Sequence, residues 1–258
     1  MIFPQILALG ALAGSTVFLG LPFARLHPPR SLQGFLSAMA TGILFFILYD
    51  VLSQAIVPVN QALVSAQGHH TQIPTFALDL GALILGLAVG LLGLVFFEKR
   101  FMRGEAGATP SGSTLGYMIA TGIGIHNLAE GLAIGQAATS GAVQLATLLI
   151  IGFGLHNMTE GFGISAPLGG NVSWKFVGLA GLIAGGPTFI GTMIGGSFRS
   201  PLFYILCLSL AAGSIIYVLS QLLPMIRRVP AQQLAMGGLV VGFVVAYGTD
   251  LVLVAAGA

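Results

Sequence analysis

Eight long apolar runs, divided by short stretches that hold most of the basic residues, leave this chain few ways to fold. The runs lie near residues 2–23, 34–57, 74–97, 115–138, 142–167, 174–195, 201–223 and 233–256. Each matches the ~20 apolar residues a helix needs to cross the hydrocarbon of a bilayer. They are continuous rather than alternating, so they read as helices and not as barrel strands. The first run begins at Met1 with no basic segment ahead of it and is too long for a signal-peptide core, so it reads as a span. Charged residues make up only 6% of the chain, against roughly 25% in a soluble domain. That balance excludes a soluble globular domain, a disordered chain and a nucleic-acid binder. The expected fold class is an all-α polytopic membrane protein, a single transmembrane domain over residues 1–258.

Prolines 28, 29, 58, 74, 167, 201, 224 and 230 fall at run edges, where a missing N–H costs a helix least. Pro187 falls inside the sixth run and should kink it. The 38 glycines suit close backbone packing in lipid. The lone cysteine, Cys207, excludes internal disulfides and thiolate zinc sites.

Charge sets the expected orientation. Arg25, Arg30, Lys99, Arg100, Arg103, Lys175, Arg227 and Arg228 follow runs one, three, five and seven, whereas only Arg199 follows an even-numbered run. Basic residues mark the cytoplasmic side. Both termini are therefore expected outside, with the stretch 98–113 as the main cytoplasmic loop. The acids run the other way. Asp50, Asp79, Glu130, Glu160 and Asp250 all fall inside runs, and no basic residue lies deep in a run beside them. An acid at the bilayer centre costs ~3 kcal/mol or more. Five without basic partners imply that protons or a bound cation supply positive charge.

Runs four and five carry a repeat. Gly124-Ile125-His126-Asn127-Leu128-Ala129-Glu130-Gly131 returns thirty residues later as Gly154-Leu155-His156-Asn157-Met158-Thr159-Glu160-Gly161, with five of eight positions identical. Residues four apart share a helix face, so each His points the way its Glu points, with the Asn beside them. A link of about three residues makes the two spans antiparallel neighbours. The repeat then gives a local two-fold axis on which two imidazoles and two carboxylates converge, near mid-membrane by helical rise. Such donors suit zinc and similar first-row divalent ions, and Asn127 and Asn157 offer neutral oxygens for a second, neighbouring position.

These paired segments resemble the fourth- and fifth-span signatures of the ZIP (Zrt/Irt-like) family of divalent metal transporters. The eight-run layout, outside termini and cytoplasmic loop after run three are similar to that family, and the short chain without a His-rich cytoplasmic loop looks like its prokaryotic type. The resemblance implies a three-plus-two-plus-three arrangement of eight helices, often as a homodimer, in the cell membrane. It implies a two-metal site between spans four and five. By matching position, His126, Glu130, His156 and Glu160 would bind the main ion, and Asn127, Glu130, Asn157 and Glu160 the second. The implied substrate is a divalent ion, zinc first, with iron, manganese and cadmium as further candidates, moved toward the cytoplasm; neither a resident cofactor nor an enzymatic activity is expected. The chain departs from the family pattern in places. Ala129 and Thr159 stand where the family usually has Pro, and Gly186 where many relatives have Glu. Gln221 and Asp50 replace an acid near the end of span seven and a His near the end of span two. The second ion position is expected to bind more weakly for the lost carboxylate.

Asp50, Asp79 and Asp250 each lie five to seven residues from the outer end of a run and are expected to form an acidic vestibule that concentrates cations. For runs two and eight that end is a helix C-terminus, where the macrodipole disfavours an anion, so helix capping does not account for Asp50 or Asp250. His69 and His70 sit in an outer loop, as a metal-collecting pair or a solvated pair without a role; His27 reads as incidental. Trp174 reads as an interfacial anchor, and Met158 as packing rather than a thioether ligand. Two other functions fit the same residues less well. One is a proton- or alkali-cation carrier using Glu130 and Glu160 with the histidines as relays. The other is an intramembrane metallohydrolase, which would usually show His-Glu-x-x-His; here no general base adjoins the His.

Overall fold

A computed structural model describes residues 2–26, 29–68, 73–102, 112–165, 168, 172–198, 200–228 and 231–255. His27, His69, His70, Arg103, Glu105, Arg199 and most of the loop 98–113 lie outside the described residues. The described chain is helical, with no strand. Its helices are α1 (Phe3–Ser15), α2 (Val17–Gly20), α3 (Arg30–Gly68), α4 (Ile73–Phe97), α5 (Gly112–Thr139), α6 (Val143–Ser165), α7 (Trp174–Ser197), α8 (Pro201–Arg227) and α9 (Gln232–Ala255). Six stretches are long and apolar enough to cross a membrane: Phe3–Gly20, Arg30–Gln67, Ile73–Arg100, Trp174–Ser197, Pro201–Pro224 and Gln232–Val252. The protein is thus an all-α, multi-pass membrane protein. Helices α5 and α6, with 28 and 23 residues, have the length but fall outside that set, because the repeated His, Asn and Glu dilute their apolar character.

Local chemistry sets several ends. The Gln5 side chain accepts from the Ile2 N–H (3.1 Å) ahead of α1, and Ser173 caps α7 by accepting from the Phe176 N–H (3.1 Å). Pro201 opens α8, where its missing N–H is harmless. Two prolines expected at helix edges lie inside helices instead. Helix α3 continues through Pro58 to Gly68, and α8 through Pro224 to Arg227, since one lost backbone bond does not stop a helix whose flanking residues support it. Asp50 therefore lies well inside α3, and the helix-terminus argument for it fails; Asp250, five residues from the end of α9, keeps its place. Conversely, the first run is interrupted at Thr16, whose N–H and Oγ1 both donate to the Ala13 carbonyl (3.3 and 2.6 Å).

The most extensive pairings are α5 on α7, α3 on α9 and α4 on α8, followed by α3 on α8 and α1 on α7, with α6 held between α5 and α1–α2. Small residues let these backbones touch. A Cβ on Gly14 would run into the carbonyl of Gly185, and one on Gly185 into that of Gly14, so α1 and α7 meet without side chains between them. One apolar core gathers Ile43, Ile47, Ile134, Leu149, Phe153 and Leu208; a second gathers Val17, Leu21, Ile164, Phe176 and Ala180. Large apolar side chains also cover the outside, as Leu78, Leu85, Leu92 and Phe96 do on α4 and Val240, Val244 and Val252 on α9. That exterior is what lipid contact requires.

Helices α5 and α6 are joined by a tight turn at Gly141, whose φ of +84° lies in the left-handed region, with the Ala142 N–H donating to the Ala137 carbonyl at 2.9 Å. A side chain there costs ~1–2 kcal/mol. Gly141→Val should lower the melting temperature of the purified protein, whereas an unchanged melting curve would show that the turn does not constrain the pair.

Candidate metal centre

The tight turn makes α5 and α6 antiparallel neighbours, as their short link requires, and brings the two copies of the repeat side by side. Oε1 of Glu160 lies 2.9 Å from Nε2 of His126 and 2.9 Å from Nε2 of His156. Oε1 of Glu130 lies 3.9 Å from Nε2 of His126, and the imidazole centroids are 6.0 Å apart. One donor atom each from His126, Glu130 and His156 fits within 4.8 Å of the others. All four side chains are buried. Within each helix the i, i+4 spacing sets His over Glu; across the pair, the antiparallel arrangement sets His126 against Glu160.

The asparagines are held alike. Asn127 donates through Nδ2 to the Ala184 carbonyl of α7 (3.0 Å), and Asn157 donates through Nδ2 to the Ala13 carbonyl of α1 (3.3 Å). Ala13 lies just before the interruption at Thr16, and Ala184 lies inside α7 one turn ahead of Thr188. Each amide is thereby pinned by its nitrogen. Oδ1 of Asn127, Oδ1 of Asn157, both carboxylate oxygens of Glu130 and Oε2 of Glu160 are buried without a hydrogen-bond partner among the described residues. Buried acceptors of this kind are costly. A small divalent cation is one ligand that would satisfy them together: imidazole nitrogens and carboxylate oxygens match its preferences, and two carboxylates would balance its charge.

The outer acids part company. Asp50 and Asp250, both half-buried, line a cavity of about 440 Å³ with Gln54, Gly141, Ala142 and Gln144, at the α5–α6 turn. Gln144 donates through Nε2 to Oδ1 of Asp250 (3.1 Å). Asp79, buried on α4, is not among the residues that line this cavity. Buried Leu145, Leu148 and Leu149 occupy α6 between the turn and His156, which lies about 20 Å from Val143 by helical rise. Near the repeat's other end, Met158 lines an apolar cavity of about 290 Å³ with Leu19, Leu36 and Phe162, in keeping with a packing role. Trp174 is exposed, and the Arg25 guanidinium stands 5.2 Å over its ring. Tyr217 donates through its hydroxyl to Glu98 (3.2 Å), as does Gln221 through its amide (3.4 Å), so Gln221 serves to tie the end of α4 to α8.

Sequence reasoning had no access to the anchoring carbonyls of Ala13 and Ala184, because backbone groups leave no signature in residue identity. Gln54 and Gln144 were missed too; the place of Gln144 just after the turn was the available signal. No family model and no curated protein matches the chain.

Proposed function

We infer that the protein carries divalent transition-metal ions, zinc foremost, across a cell membrane toward the cytoplasm. The observation behind this is the convergence of His126, Glu130, His156 and Glu160 at one buried place, with carboxylate and amide oxygens that have no hydrogen-bond partner among the described residues. The resemblance of the paired segments to the ZIP family supports the same reading. Helices α5 and α6 then join the six apolar spans to make eight, with the polar repeat shielded from lipid by α1–α2, α3, α7 and α8. The pairings support a three-plus-two-plus-three layout. Exchanging the first three spans with the last three, and α5 with α6, turns the α3–α9 pair into the α8–α4 pair and the α5–α7 pair into that of α6 with α1–α2. With both termini outside, the Asp50–Asp250 cavity faces outward and gathers cations. The ion then exchanges water for the four donors and leaves inward as the helices rearrange. Because histidine and glutamate bind metal only when unprotonated, ion binding competes with protons.

Purified protein in proteoliposomes tests this against the carrier of protons or alkali cations. Uptake of zinc, iron(II), manganese or cadmium ions without sodium, potassium or proton flux is the expected result. Alkali or proton flux with no divalent flux would move the assignment to the other carrier. The vestibule has its own test. Asp50→Asn with Asp250→Asn should raise the Km for zinc about 3- to 10-fold at low ionic strength and less at high salt; an unchanged Km removes those residues from the path.

A further inference from the structure

Thr188 lies on α7 one turn after Ala184 and next to Pro187. It is fully buried, and its Oγ1 has no hydrogen-bond partner among the described residues. Threonine inside a helix ordinarily returns its hydroxyl to a carbonyl one turn back. Thr41, Thr121, Thr147, Thr192 and Thr249 all do so here, at 2.8–2.9 Å. For Thr188 that acceptor would be the Ala184 carbonyl, which takes the amide of Asn127 instead.

Its neighbours adjoin the residues of the repeat and their anchors. Gly131, next to Glu130, packs its α-carbon onto the Thr188 carbonyl. A Cβ on Gly14 would lie 3.2 Å from Cβ of Thr188, and Gly14 adjoins Ala13, whose carbonyl holds Asn157. The Thr188 backbone thus abuts the residue after Glu130, and its Cβ faces the stretch of α1 that anchors Asn157. Valine would fill the same volume without leaving a buried hydroxyl unpaired. A threonine here is intelligible if something takes its oxygen.

We propose that Oγ1 of Thr188 is a further oxygen donor to the metal ion, completing an oxygen-rich side of the site with Asn127, Asn157 and Glu130. This rests on the metal-carrying reading above. A neutral hydroxyl suits hard ions such as manganese(II) and adds little for softer, sulfur-seeking ions such as cadmium. The hydroxyl therefore weighs the site against soft ions such as cadmium, and leaves zinc and harder ions favoured.

Thermal unfolding of purified protein, with and without manganese or cadmium, tests this on wild type, Thr188→Val, Thr188→Ser and Glu130→Gln. Thr188→Val is expected to melt a few degrees above wild type without metal, because an unpaired hydroxyl is gone. The same variant should bind manganese about 10-fold more weakly, read from the smaller metal-induced shift, while cadmium changes little. Thr188→Ser should return both properties toward wild type. Thr188→Val with wild-type manganese affinity, while Glu130→Gln loses it, overturns the hydroxyl as a donor and leaves the metal site standing. Melting of metal-free Thr188→Val below wild type also overturns it, since the hydroxyl would then have a structural partner. If Glu130→Gln too keeps full affinity for both ions, the metal-carrying reading itself fails.

Discussion

Alanine at Glu130 is expected to lower zinc uptake into proteoliposomes by about 100-fold or more, and adding His156→Ala should lower it no further. The first part follows from the geometry. The four side chains are buried, so for a bound divalent ion a lost carboxylate would not be replaced by solvent as readily as at a surface, and half of the ion's charge would go unbalanced. Loss of an outer-shell partner alone costs roughly 10- to 100-fold in metal affinity, and a direct donor stands at or above the upper end of that range. The second part follows from shared use. Glu160 lies 2.9 Å from both imidazoles, and Glu130 reaches the same place, so the donors act as a unit and their losses do not add. Uptake by Glu130→Ala at the wild-type rate, or losses that multiply in the double variant, would dissolve this picture.

Leucine at Gly191 should prevent folding, whereas leucine at Gly178 on the same helix should be tolerated. The seam between α5 and α7 is made by glycines from both sides. A Cβ on Gly131 would strike the Thr188 carbonyl and one on Gly135 that of Thr192, while Cβ atoms on Gly191 and Gly195 would strike the carbonyls of Leu128 and Leu132. The obstacles are backbone atoms, which cannot turn aside as a side-chain tip can. Extra methylenes in a packed interior already cost ~1–3 kcal/mol, and a whole isobutyl group here must part the two helices. Parting them moves Asn127 away from Ala184. Among the described residues Gly178 has nothing within 4 Å of where its Cβ would be, so leucine there meets open space. Fluorescence-detected size exclusion of the two variants gives the comparison. A monodisperse Gly191→Leu protein with a wild-type melting temperature would mean that the seam is looser than described.

The all-α, multi-pass character and the repeat were legible because both are written in residue type. Apolar length sets the spans, and i, i+4 spacing with a short link sets His126, Glu130, His156 and Glu160 together. Helix ends were less legible. Pro58 and Pro224 read as boundaries, yet each forfeits only one backbone hydrogen bond inside a helix that neighbouring contacts sustain. The interruption at Thr16 carries no proline at all; it depends on Thr16 bonding the Ala13 carbonyl from both its N–H and its hydroxyl. Asp79 shared its depth with Asp50 and Asp250, but depth fixes height along a helix and not the direction a side chain takes around it. Only packing, with α4 laid on α8, decides that.

Helix α3 has 39 residues, about 58 Å at 1.5 Å per residue, and a bilayer's apolar slab is about 30 Å thick. Even strongly slanted, this rod outreaches the lipid. Its final stretch, from Pro58 to Gly68 and including exposed Asn60 and Gln61, follows Asp50 and Gln54, which share a cavity with Gly141 and Ala142 of the α5–α6 turn, and so continues on that side. The protein therefore carries a helical post beside the mouth of the Asp50–Asp250 cavity, a handle by which anything in the surrounding water could take hold of α3 and, through it, of α6 with its His156 and Glu160.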